Sequence, residues 1–374
     1  MTKLFKTNIV TPDTAKDIIK NSVLANRVVM ISGQPGIGKS EIVRQVAKEL
    51  DLEMIDHRLS TSAIEDLTGL PQFTKATGSD NKEHDLAKFT PLNIFPMEWW
   101  KIPNGKKGWL LFFDEINSAD QSIVAACYKI ILDRMVGLNK LHPSCHIVCA
   151  GNRAEDNAIT NSLGTAMMSR MSHIELKVDF DMWLTNVALK NNYDFRIIAF
   201  LKAYPELLNQ FDPEKDTETY SCPRTWEFIN DYLYQATEEY FEKEPEGRVT
   251  KMPLPKWFQP LASGTITPDT ANKFCSFCAN ISKMITFEQI MADPENCEVP
   301  EEIDIRYAVI LVCSSHIESD NISKIWKYIS RFDRSNQILF IRDVASNKPN
   351  LITRKDFREI LKDSVDELKE LGVL

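Results

Sequence analysis

Gly33-Gln34-Pro35-Gly36-Ile37-Gly38-Lys39-Ser40 fits the pattern G-x-x-x-x-G-K-[ST], and its flanks decide the fold. The run before it, Arg27-Val28-Val29-Met30-Ile31-Ser32, is short, apolar and rich in β-branched side chains, as a buried parallel strand should be. After it, Ile42, Val43, Val46, Ala47 and Leu50 fall on one face of a helix over residues 40–50. A glycine-rich turn in that setting closes its backbone N–H groups around phosphates at the positive end of the helix dipole. Residues Gly33 to Ser40 are therefore the expected nucleotide cradle, with Lys39 reaching the β/γ-phosphates and Ser40 ligating Mg²⁺.

About 75 residues further on, Trp109-Leu110-Leu111-Phe112-Phe113-Asp114-Glu115 is an apolar strand ending in two carboxylates. Asp114 is placed to hold Mg²⁺ through a water or hydroxyl, and Glu115 to orient and deprotonate an attacking water. A third strand, Cys145-His146-Ile147-Val148-Cys149-Ala150, runs into Gly151-Asn152-Arg153. An amide at a strand's C-terminal edge can read a γ-phosphate, which makes Asn152 the candidate sensor. Residues 119–135 read as a helix with Ile123, Cys127, Ile130 and Ile131 on one stripe, and His173-Ile174-Glu175-Leu176-Lys177-Val178 reads as a further strand.

These residues resemble AAA+ ATPases and, within them, the MoxR-type group. The resemblance spans roughly residues 10–240 and rests on GQPGIGKS at 33–40, LLFFDEIN at 110–117, AGN at 150–152, MSR at 168–170 and CPRTWEF at 222–228. It implies an α/β P-loop core with a five-stranded parallel sheet, a helical lid, ATP as the nucleotide, and a ring of subunits, with a hexamer as the family's usual size. It also implies that Arg170 is an arginine finger acting on the neighbouring subunit's γ-phosphate, and that Arg224 is a lid arginine sensing nucleotide in its own subunit. Both have plainer readings, Arg170 as a surface cap and Arg224 as a first-turn helix residue, and Arg153 is a rival to Arg170 as the second γ-phosphate contact.

The resulting division is a nucleotide-binding core over 1–178 with an insertion at about 60–100, a lid over 179–250, and an α-helical extension over 251–374. In the insertion, residues 73–86 are polar and rich in Gly, Asp and Asn, the composition of a mobile loop or a hairpin. Phe73, Trp99 and Trp100 with Lys101, Lys106 and Lys107 offer grips for a partner, although packing beneath the insertion suits the two tryptophans better. In the C-terminal half, residues 181–189, 195–204, 224–236, 271–285, 303–315, 322–332, 336–343 and 354–371 read as helices. A Pro-rich stretch at 252–260 interrupts them.

Charge separates the halves. Residues 1–178 carry 21 Lys+Arg against 20 Asp+Glu, whereas the remainder carries 23 against 33. An acidic second half repels a phosphate backbone, so a nucleic-acid motor or loader is the weaker alternative to a chaperone-like remodeller of proteins. The family implies a von Willebrand factor A domain protein as the client. No apolar run spans a bilayer and the first twenty residues lack a signal-peptide core, so a cytoplasmic protein without membrane partners is expected. Cysteines 127, 145, 149 and 313 lie inside apolar patterns and read as reduced core thiols. The Cys275-x-x-Cys278 pair lacks a partner pair for zinc, and His57 and His173 read as hydrogen-bonded strand-edge residues.

Overall fold

A computed structural model of the chain describes residues 8–79, 81–153, 156, 163–214, 219–244, 252–281, 287–301, 303–352, 354, 357 and 360. Two compact units are present: residues 1–182 with 211–216, and residues 183–210 with 217–374.

The first unit is built on strands β1 (Ile9–Val10), β2 (Val28–Ser32), β3 (Leu52–Arg58), β4 (Leu70–Thr77), β5 (Glu83–Thr90), β6 (Gly108–Asp114), β7 (Met135–Val136), β8 (Asn139–Lys140), β9 (Cys145–Gly151) and β10 (Met171–Leu176). Six of them form one sheet in the order β1-β10-β2-β9-β6-β3, with every pair parallel. The five expected strands are there, and β1 adds a sixth at the edge beside β10.

Alternation along these strands explains why they are apolar throughout. Met30 on β2, Trp109, Leu111 and Phe113 on β6, and Cys145, Ile147 and Cys149 on β9 enter one core. Val29 and Ile31, Leu110 and Phe112, and Val148 and Ala150 enter a second core on the opposite face. Both faces are covered, so no position can be polar at low cost. Helices α1 (Pro12–Leu24) and α2 (Lys39–Glu49) supply Ala15, Ile19, Val23, Ile42, Val43 and Val46 to the second core. Beyond α3 (Ile64–Thr68), helix α4 (Gln121–Asp133) seals the first core with the predicted stripe Ile123, Cys127, Ile130 and Ile131. Asp120 starts α4 by accepting from the Ser122 N–H.

The insertion folds as an antiparallel hairpin, β4 against β5, from Leu70 opposite Thr90 to Thr77 opposite Glu83. Nearly all of it is exposed, and Phe73 is 82% exposed. The two tryptophans separate: Trp100 packs edge-on to Trp109 at 6.4 Å, but Trp99 stands 62% exposed instead of lying beneath the insertion.

The second unit is helical. Its described helices include Phe195–Ala203, Pro223–Lys243, Phe258–Ser263, Pro268–Ile281, Phe287–Ala292, Ile303–Ser315, Ile322–Ile329 and Arg334–Asn347. Over the expected helix at 181–189, the chain forms an α-turn at Phe180–Trp183 and then a π-helical turn at Leu184–Ala188. Most of the expected helix at 354–371, and the end of that at 271–285, lie outside the described residues.

An aromatic cluster centres this unit: Phe200 contacts Trp226 (5.8 Å), Phe274 (5.2 Å) and Phe277 (5.4 Å). The fully buried Trp226 also donates its Nε1–H to the Leu207 carbonyl at 3.1 Å. Trp226→Ala leaves a cavity and an unsatisfied carbonyl, and is expected to destabilise this unit by about 3–5 kcal/mol. A lowered urea midpoint by circular dichroism checks this, and an unchanged one contradicts the packing.

Candidate nucleotide site

The site gathers at the C-terminal edge of β2, β6 and β9, where the backbones leave the sheet. After β2 the loop turns through Gly36 (φ 79°) and Gly38 (φ 94°), a left-handed conformation that other residues adopt at a cost. Gly38 caps α2, and Lys39 and Ser40 are its first residues. A Cβ on Gly33 would lie 2.7 Å from Ile37 Cδ1 and 3.1 Å from the Leu176 carbonyl oxygen, so the loop passes tightly against the end of β10. Gln34 and Pro35 complete the turn.

Lys39 is buried and curled back into its own loop. Its Nζ donates to the carbonyls of Gly33 (2.7 Å) and Gln34 (2.9 Å) and to Oδ1 of Asn152 (3.3 Å). Ser40 Oγ donates to Asp114 Oδ2 at 3.0 Å, and the other oxygen, Oδ1, accepts from the Glu115 N–H at 2.9 Å. A hydroxyl and a carboxylate meeting at a phosphate loop are the hard oxygen donors that suit Mg²⁺, which keeps waters and substrate oxygens as its remaining ligands. The donor set fits the metal that the fold family implies.

Glu115 sits in the left-handed region (φ 56°), which costs a non-glycine residue about 1 kcal/mol or more. Its carboxylate accepts from Ser60 Oγ and lies 3.8 Å from Arg58 Nε. Arg58 pairs with Asp114 in the β3–β6 register, so the end of β3 reaches the proposed base. Behind it, burial and the nearby Asp114 charge raise the Asp56 carboxyl above its ordinary value. Burial lowers His57, whose ring packs against Phe95 (5.7 Å) and Phe113 (6.1 Å) and bonds Ser62 Oγ through Nε2 at 3.0 Å.

Asn152 follows β9 directly and is the residue that bridges strand and loop through Lys39. A role for Asn117 was absent from the sequence reading: its amide donates to the Asn152 carbonyl (2.6 Å) and accepts from the Asn152 N–H (3.1 Å). Arg153, the rival γ-phosphate contact, is engaged within its own unit. Its Nε donates to Asp156 Oδ1 at 2.9 Å and its Nη1 reaches Glu175 at 3.3 Å.

Arg170 is not brought to this cluster. It is exposed, donates from Nη1 to the Ala166 carbonyl at 3.0 Å, and directly precedes Met171. Met171 pairs with Val28 at the start of β2, whereas the phosphate loop leaves its end. Four strand steps, roughly 13 Å, separate the two levels. Arg224 belongs to the other unit, exposed at the second position of Pro223–Lys243. A cation there faces the positive end of the helix dipole, so helix stability does not account for it.

The other candidates are structural. Burial pushes the Cys145 and Cys149 thiols up to about 12, and the Cys278 thiol higher still. Among the described residues no group of three or more His, Cys, Asp or Glu side chains is placed to hold a metal. His173 Nε2 bonds the Met168 carbonyl at 2.8 Å. No described helix is long and apolar enough to cross a membrane.

The family description "AAA domain (dynein-related subfamily)" matches residues 28–211. No curated protein matches the chain. Among solved structures, the chain is similar to a proposed ATPase from Cytophaga hutchinsonii, at 13% identity over 75% of this chain and 91% of that one, with a TM-score of 0.35. It is also similar to two variants of RuvB from Thermotoga maritima. One is 15% identical over 85% of this chain and 87% of that one, with a TM-score of 0.34. The other is 14% identical over 86% and 88%, with a TM-score of 0.32. The α/β unit has the AAA+ P-loop fold, and residues 28–211 are similar to AAA domains of the dynein-related subfamily.

Proposed function

We propose that the chain is a Mg²⁺-dependent ATPase that works as a ring of its own copies, most simply a hexamer, and remodels or matures a protein partner. The observation that carries the ATPase part of this reading is the convergence of Lys39, Ser40, Asp114 and Asn152 at one sheet edge; the ring and the protein partner rest on the motif resemblance. Lys39 exchanges its carbonyl and amide partners for β/γ-phosphate oxygens, and Asn152, already in contact with it, reads the γ-phosphate. Ser40 and Asp114 would hold Mg²⁺, which neutralises charge on the β- and γ-oxygens when bound. Glu115, released by Ser60 and Arg58, takes the proton of the attacking water.

Arg170 supplies the remaining positive charge from the next subunit. Its exposure at the far end of β2 from its own phosphate loop supports action in trans, and the tie of Arg153 to two carboxylates weighs against the rival. Arg224 reports nucleotide state to the lid. The MoxR-type assignment and a von Willebrand factor A domain client rest on the motif resemblance alone. A nucleic-acid motor gains little from Lys106 and Lys107, because Lys106 pairs with Glu53 (3.5 Å) and Lys107 with Asp51 (2.9 Å).

Mixing tests the reading. Arg170→Ala is expected to bind ATP normally and to lose turnover by roughly 10³-fold or more. Glu115→Gln subunits are nearly inactive alone for a different reason. Mixed rings place an intact Glu115 from one variant beside an intact Arg170 from the other and regain activity. Zero activity at every mixing ratio contradicts catalysis in trans.

A further inference from the structure

We infer that Asn117 is a positioning residue for the hydrolytic step, acting through Asn152, and that Gly151 is glycine in order to leave room for it. This rests on the reading of Asn152 as the γ-phosphate sensor. Asn117 is buried, and both ends of its amide are spent on one residue: Nδ2 donates to the Asn152 carbonyl at 2.6 Å, and Oδ1 accepts from the Asn152 N–H at 3.1 Å. A backbone carbonyl only accepts and an N–H only donates, so the amide has one satisfactory orientation. The two bonds pin the Asn152 backbone on both sides, and what stays adjustable is the Asn152 side chain whose Oδ1 meets Lys39 Nζ.

Asn117 shares its turn with the proposed base. The Ser118 N–H closes onto the Glu115 carbonyl at 2.9 Å, and the Ile116 N–H donates to the Ala150 carbonyl at 3.0 Å. The turn is thus stitched to β9 one residue before Gly151. Water activation by Glu115 and phosphate reading by Asn152 are held in one frame, and Asn117 is the side chain joining them.

Gly151 gives an independent line of support. It is not among the residues with positive φ, so its backbone does not demand glycine. A Cβ there would lie 2.2 Å from Asn117 Oδ1 and 2.8 Å from Asn117 Cγ. The remaining close atom, Met30 Cε at 2.8 Å, is the far end of a flexible side chain and can move aside. Alanine at 151 therefore evicts the Asn117 amide from its pair with Asn152.

The test measures steady-state ATP turnover, affinity for a non-hydrolysable ATP analogue, and melting temperature on the full chain. Asn117→Ala is expected to lower kcat on the order of 10- to 100-fold, with KM and analogue affinity within about threefold, the signature of misplaced rather than missing binding groups. Gly151→Ala should give the same split. The double variant should be no slower than Asn117→Ala alone, since the second change removes nothing further. Should Asn117→Ala not fold, Asn117→Asp keeps the acceptor but not the donor, and should also lose kcat.

A kcat within twofold of wild type in the folded Asn117 variant overturns the inference, as does a double variant whose losses multiply. Asn152→Ala separates the two claims. If it is slow while Asn117→Ala is not, this inference alone falls. If it turns over at the wild-type rate, the sensor reading falls and takes the inference with it.

Discussion

Lys39→Ala is expected to abolish nucleotide binding. The ammonium is buried at the start of α2 and already surrounded by three oxygen acceptors, the carbonyls of Gly33 and Gln34 and the Asn152 amide oxygen. Its affinity for oxygen is thus spent on the loop itself and available for transfer to phosphate. Charge-assisted hydrogen bonds contribute about 1.5–3 kcal/mol each, so losing two of them weakens binding by roughly 10²- to 10⁴-fold. Truncation also removes the donor that these three acceptors share, which disfavours the tight loop. Titration calorimetry with ATP reads the effect directly, and an affinity within tenfold of wild type would falsify the assignment of Lys39.

Glu115→Gln is expected to give the opposite pattern, with binding kept and turnover lowered by at least roughly 10²-fold, the usual contribution of a positioned base. Glutamine preserves the size of the side chain and its oxygen acceptor for Ser60, but cannot take up a proton. The backbone argues for a special role here: a left-handed φ at a glutamate that directly follows a fully buried strand is strain placed at a site. Single-turnover hydrolysis after confirmed ATP binding is the measurement. Hydrolysis within threefold of wild type would show that another group activates the water.

The phosphate loop, the carboxylate-tipped strand and the α4 stripe were all readable because each carries a strong local signal. β2, β6 and β9 are apolar on both faces, and a glycine or a carboxylate marks where each leaves the sheet. β1 has two residues, too few to show any period, and it is recognised only through its pairing of Ile9 with Glu175. The hairpin of β4 and β5 stayed open against a mobile loop for a related reason. With solvent on both faces there is no alternation to read, and Phe73 stays exposed where an apolar residue suggests burial. Phe258–Ser263 was masked by Pro260, which breaks a helical pattern on paper but sits in the first turns of a short helix.

Asn117 was missed because its partner is 35 residues away and touches it through backbone atoms alone. The available signal was a buried-strand motif continuing past its carboxylates into Ile116-Asn117, with a glycine just ahead of Asn152. Neither detail speaks without the β6–β9 register.

The C-terminal unit sets a limit on how this protein can be dissected. Lys202, on Phe195–Ala203, forms a buried ion pair with Asp343 on Arg334–Asn347, and Ser314 on Ile303–Ser315 donates to the same carboxylate. Removing one member of such a pair costs about 3–5 kcal/mol, because the survivor keeps its charge in an apolar interior. A chain shortened to residue 250 would retain Lys202 and strip away both of its companions. Loss of activity in such a deletion would report an orphaned ammonium and an unravelled fragment, and would carry no information about any separate role of the deleted segment.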